Sequence, residues 1–167
     1  MDMSLVEAVV RHFCHGFRIP LLAGPELSGD ESLAAASILR TVLAAGDARL
    51  VVATPLWLSL LDAPVVLGEG WSGEDRRRVA YLGEIGRCLG LLRGGAGIAR
   101  APDWPRRIAG LEPAAFPGRI DLFRSPAPPL PSSIFGDRWG VVEVLAFSDY
   151  AAFQRKYLDR LPGPVAA

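Results

Sequence analysis

Apolar side chains recur every three or four residues along four stretches of the chain, which is the spacing of one buried helix face. These predicted helices span residues 4–16, 31–45, 73–92 and 149–161. Gly16 and Pro20 end the first helix, because neither residue readily continues one. Asp30, Ser72 and Ser148 precede the other three as N-cap residues, since their side chains accept a hydrogen bond from the first turn.

Residues 48–61 are almost entirely apolar, so this segment is buried whatever structure it adopts. One interpretation is a continuous helix, kinked at Pro55, that forms a tight hairpin with 31–45. The other is a short strand over 49–53, followed by a helix with Thr54 as N-cap and Pro55 at its first position. We favour the helical hairpin, whereas the strand would make the fold α/β.

The chain from 101 to 133 is rich in proline, which fixes φ and removes a backbone donor. We predict mostly irregular or extended structure there, with one short helix around 103–110. The run SPAPPLPSS over 125–133 has the composition of a polyproline II segment. Such runs act as stiff connectors or as ligands for aromatic grooves, and we favour the connector. Beyond it, WGVVEVLAF over 139–147 is rich in β-branched and aromatic residues and predicts a strand.

These elements predict a single mainly α domain over 1–167, in which four or five helices form a bundle-like fold with a short β element near the C-terminus. A length of 167 residues suits one such domain. Residues 1–100 are the predicted helical core, 101–133 the proline-rich irregular segment, and 134–167 the C-terminal strand and helix.

Charge is balanced overall, with 18 basic and 18 acidic residues, so it does not indicate nucleic acid. It is uneven along the chain, because residues 76–107 hold 8 arginines against Glu84 and Asp103. This region can pair with the acidic first half of the chain, or it can present a basic face to an acidic partner. Arginine and tryptophan are also enriched at the centres of protein interfaces. The predicted partner-binding residues are Trp71, Arg76, Arg77, Arg78, Trp104, Arg106 and Arg107.

Both histidines lie in the run His12–Phe13–Cys14–His15. Imidazole and thiolate are ligands for zinc or copper, so a metal ion held by His12 and His15 is one hypothesis. On an α-helix these two residues lie about 60° apart, but Cys14 lies about 160° from His12. Two ordinary histidines and a small buried thiol are the interpretation that we favour, because a full set of ligand spacings is absent. We expect no cofactor other than this metal ion.

The sequence contains no catalytic motif that we can assign. The glycines of LRGGAG at 92–97 follow a helix and lack the lysine of a phosphate-binding loop. GxSxG, HExxH and CxxC are absent. Residues 82–91 resemble the first helix of many helix-turn-helix units, but three glycines stand where the turn and recognition helix should follow.

We therefore expect a non-catalytic accessory or adaptor subunit that binds a partner protein, or a second copy of itself, in a cytoplasmic complex. A biosynthetic accessory subunit and an antitoxin-like regulator both fit. The alternatives are a DNA-binding regulator with a degenerate helix-turn-helix and a metal-binding protein. Residues 1–10 lack the basic start of a signal peptide, and the apolar stretch 50–61 is too short to span a bilayer. We thus expect no membrane insertion.

Overall fold

The computed structural model describes residues 2–19, 21, 34–61, 65–94, 116 and 118–160. Over this part of the chain the fold is mainly α, as predicted, with one short two-stranded sheet. The α-helices are α1 (Met3–Arg11), α2 (Ala35–Ala45), α3 (Ala48–Leu60), α4 (Gly73–Leu92), α5 (Ile134–Trp139) and α6 (Phe147–Lys156). The strands are β1 (Ile120–Asp121) and β2 (Val141–Val142), which pair in parallel.

Helix α1 begins at Asp2, whose carboxylate accepts the Ser4 N–H at 3.0 Å. It passes directly into a π-helical turn, His12–Gly16. The predicted helix over 4–16 is therefore confirmed in extent, but its hydrogen-bond pattern changes where the histidines begin. Such π turns are rare and are usually single turns attached to α-helices.

Helices α2 and α3 form the predicted hairpin. Gly46 ends α2 in the left-handed conformation, at φ 59°. Asp47 begins α3 by accepting the Arg49 N–H at 2.8 Å. Helix α3 runs through Pro55, so the helical interpretation is confirmed and the strand alternative is wrong.

The start of α2 differs from the prediction. Ala34 is its N-cap residue and makes no side-chain hydrogen bond to the first turn. The predicted cap Asp30 lies outside the described residues.

Helix α4 begins as predicted, with the Ser72 hydroxyl accepting the Asp75 N–H at 3.1 Å. Its largest interface with another described helix is with α3. A Cβ at Gly86 would come within 2.5 Å of the Pro55 carbonyl oxygen, so glycine permits the close approach of the two helices.

The predicted strand over 139–147 is mostly wrong, because only Val141 and Val142 pair as a strand. A six-residue helix, α5, precedes them and includes Trp139. Ser133 caps its start, and Gly140 ends it in the left-handed conformation at φ 61°. Of the apolar residues that suggested a long strand, Trp139 and Val141 are buried, and α5 and β2, to which they belong, contact α4. Such burial does not require sheet pairing.

Helix α6 begins earlier than predicted, with Ala146 as N-cap residue in place of Ser148. The Asp149 carboxylate accepts the Ala146 N–H at 2.7 Å, which satisfies the backbone donor at this end. After α6 the chain continues into a short 3₁₀ turn, Leu158–Arg160.

The hydrophobic core lies between α1, α2, α3, α4, α5 and α6. Its largest fully buried side chains are Trp57, Trp139, Tyr81, Tyr150 and Phe13. Among the described helices, none combines the length and apolar character that crossing a bilayer requires.

Candidate partner-binding surface

Glu143 is a buried carboxylate, 4% exposed, in the segment that follows β2. Its Oε1 accepts hydrogen bonds from the Tyr81 hydroxyl at 2.9 Å and the Ser133 hydroxyl at 2.7 Å. Its Oε2 accepts the Ser133 backbone N–H at 2.7 Å. These three donors replace the water that the carboxylate loses on burial. Glu143 therefore ties α4 to the start of α5.

Glu84 is a second buried carboxylate, also 4% exposed, on the same helix as Tyr81. Its Oε2 accepts the Nε1–H of Trp139 at 2.6 Å. Its Oε1 binds the guanidinium of Arg138, whose side chain is half exposed. This carboxylate ties α4 to the end of α5.

Arg77 is a buried cation on α4, with 9% of its surface exposed. It donates to the carbonyl oxygens of Trp139 at 2.9 Å and Gly140 at 2.8 Å, where α5 ends. It also donates to the Gly118 carbonyl at 2.5 Å and lies over the ring of Phe116. Burial lowers the pKa of Arg77. The carbonyl groups at a helix C-terminus are partly negative and compensate the buried charge.

Arg77, Tyr81, Glu84 and Glu143 together form what we call the buried polar frame. Burial raises the pKa of Tyr81 well above its usual value, so this residue remains a neutral donor to Glu143. Groups with shifted pKa values often mark reactive sites. Here they contact other parts of the same chain, and their combined effect is to fix the segment around α5 onto α4.

Residues 126–132, which we call the proline ridge, lie on the surface next to this frame. All of them are exposed. The Leu130 N–H donates to the Glu143 backbone carbonyl at 2.8 Å, which anchors the middle of the ridge. At its C-terminal end, the Ser132 hydroxyl contacts the Asp137 carboxylate at 2.6 Å. The ridge is therefore an exposed segment that is held in place.

Two clefts lie beside the residues that lead into the ridge. The first, of about 370 Å³, separates the ridge from β2 and is lined by Pro129, Val142 and Val144 among others. The second, of about 260 Å³, is polar and includes Asp121. Arg124 lines both clefts and is exposed. This surface therefore combines apolar groups with an accessible cation.

The predicted arginines of α4 bind their own chain. Arg76 donates to carbonyl oxygens of the preceding loop, including that of Gly68. Arg77 belongs to the buried polar frame. Arg78 pairs with Asp75 at 2.8 Å and donates to the Asp121 carbonyl at 2.8 Å. These bonds agree with the intrachain interpretation of the basic region, while a role of these arginines toward a partner stays a prediction.

Of the other predicted partner-binding residues, Trp71 lies next to these arginines, since the Arg76 Nε–H donates to its backbone carbonyl at 3.4 Å. Trp71 is 8% exposed, and the guanidinium of Arg40 lies over its ring at 4.3 Å from the centroid. Trp104, Arg106 and Arg107 lie outside the described residues, as does the predicted short helix around 103–110.

The histidines of the metal hypothesis lie in the π turn. His12 is half-buried against Trp57, with ring centroids 6.1 Å apart, and His15 is exposed. Burial lowers the pKa of His12. The thiol of Cys14 accepts the Leu21 N–H at 3.4 Å. Within the described ranges, no group of three or more His, Cys, Asp or Glu side chains is arranged to hold a metal ion. The metal hypothesis stays a prediction.

No family model, curated protein or solved structure matches the chain.

Sequence reasoning missed the buried polar frame. Glu143 was expected to lie within a strand, and Glu84 looked like one acidic residue on an otherwise ordinary helix. The available signal was the pair Ser133 and Gly140, which has the chemistry of an N-cap and a left-handed C-terminal stop around a short helix. Locating α5 would have placed Trp139 on a helix, but its contact with α4 is not a local property.

Proposed function

We propose that this chain is a non-catalytic accessory or adaptor subunit that binds a partner protein in a cytoplasmic complex, through the proline ridge and the start of α5. The observation that carries the proposal is that the buried charged side chains hold one surface segment in place and do not line a cleft. Arg77, Glu84 and Glu143 all bind the segment that contains α5, and none of them lines either cleft beside the ridge.

Burying a charged side chain is unfavourable unless hydrogen bonds compensate it. Three buried charges that find their partners in one short segment therefore hold that segment in one position. Their effect is to fix a non-regular, exposed stretch of chain on a rigid helix. Recognition surfaces commonly consist of irregular segments that a rigid scaffold positions. A fixed segment also loses less conformational freedom when a partner binds it.

Apolar side chains at this surface support the proposal. Leu130 is 38% exposed within the ridge, and Ile134, the first residue of α5, is 72% exposed. Apolar groups beside polar ones are typical of a protein interface. Arg76, Arg77 and Arg78 are not among the residues that we expect to contact the partner, because their bonds are made within the chain.

The test is recovery of tagged wild-type protein from its source organism, followed by native mass measurement and titration against the purified partner. A Leu130→Ser/Ile134→Ser variant removes the apolar groups of the proposed surface. A Val66→Ser variant is the matched control, because Val66 is 74% exposed and lies outside the ridge and α5. We expect a complex of defined stoichiometry, weakened about tenfold or more by the double substitution and unchanged by the control.

A dimer of this chain that the same double substitution dissociates also supports the proposal, since the partner is then a second copy. A wild-type protein that is strictly monomeric, with no partner, overturns it. So does a complex that Val66→Ser weakens as much as Leu130→Ser/Ile134→Ser does.

A further inference from the structure

The proline ridge offers hydrogen-bond acceptors but almost no donors. Pro126, Pro128, Pro129 and Pro131 have no backbone N–H. The Ala127 N–H donates to the Ser125 hydroxyl at 3.1 Å, and the Leu130 N–H donates to the Glu143 carbonyl. From 126 to 131, every backbone N–H is therefore used within the chain, and a partner meets carbonyl oxygens and apolar rings.

The lack of free N–H groups excludes binding of the ridge as an added strand at the edge of a partner's sheet. A strand that adds to the edge of a sheet must alternate N–H donors and carbonyl acceptors toward its neighbour. The ridge has no free N–H to contribute from 126 to 131. A partner must instead supply donors for the carbonyl oxygens and flat apolar surfaces for the proline rings.

Tryptophan and tyrosine supply both, because each has an apolar ring and one polar N–H or O–H group. Grooves lined by these side chains bind polyproline II segments in which prolines are three residues apart. Pro128 and Pro131 have this spacing, and a helix with three residues per turn places them on one side. Residues before proline favour extended backbone, which applies to Ala127, Pro128 and Leu130.

A positive charge at one end of the ridge can determine the orientation in which the ridge binds a groove. Arg124 is exposed just before it and takes part in none of the ion pairs found among the described residues. An acidic group on the rim of a partner groove would meet this guanidinium when the proline rings are seated. Electrostatic pairs of this kind fix the direction in which a segment binds and raise the association rate.

We propose that the proline ridge, as part of the partner-binding surface proposed above, binds a groove lined by tryptophan and tyrosine side chains on another protein, with an acidic rim at the Arg124 end. This inference rests on the proposed function and specifies the chemistry of its partner. The connector interpretation of the same prolines requires no such binding, so the two make different predictions.

The experiment uses the full-length protein in two arms. In the first, it is titrated into a panel of purified, isotope-labelled SH3 and WW domains, whose grooves have this chemistry. In the second, a synthetic peptide of residues 124–133 competes with the full-length protein for the partner recovered from the source organism. Both arms compare wild type with Pro128→Ala/Pro131→Ala, with Arg124→Glu, and with Val66→Ser as the control. Arg124→Glu leaves the backbone of the ridge unchanged, so its effect does not depend on folding.

We expect ridge-dependent binding in at least one arm. The double proline substitution should lower the affinity about tenfold or more, and Arg124→Glu should lower mainly the association rate. A recovered partner that neither variant weakens and the peptide does not displace, with no ridge-dependent binding in the panel, overturns this inference and leaves the proposed function standing. If the partner is a second copy of this chain and no SH3 or WW domain shows ridge-dependent binding, this inference is likewise overturned and the proposed function stands. The absence of any partner, together with a negative panel, overturns both.

Discussion

Trp139 and Glu84 are 55 residues apart in sequence and meet at 2.6 Å, where the indole Nε1–H donates to the carboxylate. The contact joins the last residue of α5 to the middle of α4. Since the carboxylate is almost fully buried, the indole and the Arg138 guanidinium replace the water that it has lost. The position of α5, and of the proline ridge before it, depends on this contact.

Glu84→Gln should be strongly destabilising. A neutral amide weakens the contact with Arg138 and leaves one polar atom facing a donor, so we expect a loss of about 3 kcal/mol in the free energy of unfolding. Glu74→Gln on the same helix is the control, because Glu74 is largely exposed and its ion pair with Arg78 is long, at 3.6 Å. It should change stability by less than about 0.5 kcal/mol. Urea unfolding of both variants decides the matter, and equal effects would contradict the assigned role of Glu84.

Gly136→Ala should loosen the buried polar frame. An added Cβ would collide with the Glu143 carboxylate and come within 3.0 Å of the Val141 carbonyl oxygen. We expect a loss of roughly 2 kcal/mol, although alanine is the better helix former. Gly118→Ala is the matched control, since nothing lies within 4 Å of a Cβ there. Thermal unfolding should separate the two variants clearly, and a neutral Gly136→Ala would show that the two residues are not packed as described.

Alkaline pH should destabilise the fold through its buried tyrosines. Burial raises the pKa of Tyr81 and Tyr150 above the usual 10.0. In the unfolded chain both ionise near their ordinary pKa, whereas the folded protein keeps them neutral. The stabilising contribution is therefore complete below about pH 10 and is lost as pH rises further.

The free energy of unfolding, measured by urea titration at several pH values, should fall above about pH 10. Tyr150→Phe removes one of the two groups and should make the fall shallower. Stability that stays level up to about pH 11 would contradict the burial of these hydroxyl groups.

His12 should titrate below its usual range. Burial against Trp57 lowers the pKa of His12 from 6.5, so the folded state favours the neutral ring. The stability that this contributes is present above about pH 6.5 and is lost as pH falls through the lower folded pKa. NMR titration of the imidazole protons measures the midpoint directly. A midpoint above 6.5 would contradict the described burial, and a stoichiometric shift on adding zinc would support the metal hypothesis instead.

Local chemistry was enough to predict much of the helical part. Periodic apolar positions located α1, α2 and α4, and Ser72 marked the start of α4 because its hydroxyl bonds within one turn. The uniform apolar character of α3 left two alternatives, since it reflects burial on every side. The packing of α3 against α4 distinguishes the helical interpretation from the strand interpretation, which the apolar sequence pattern alone could not do.

The C-terminal part was harder to predict because its structure depends on contacts between residues far apart. Helix α5 has only six residues with Gly136 among them, so it shows no periodicity. Its stability depends on Arg77 and Glu84, which lie more than 50 residues earlier. The same contacts explain why apolar and aromatic residues that suggest a strand around Trp139 form a helix end and a two-residue strand instead.

The most direct test of whether the proline ridge is held in place is the hydrogen exchange rate of the Leu130 amide, measured by NMR in the wild-type protein. The residue lies in an exposed, non-regular segment, where an amide would ordinarily exchange at the rate of an unstructured chain. We expect exchange slowed by roughly 100-fold, because this N–H donates to the Glu143 carbonyl at 2.8 Å. We also expect Glu143→Gln to restore much faster exchange, because it loosens the buried polar frame. A Leu130 amide that exchanges in the wild-type protein at the unstructured rate would contradict the claim that the ridge is held ready for a partner.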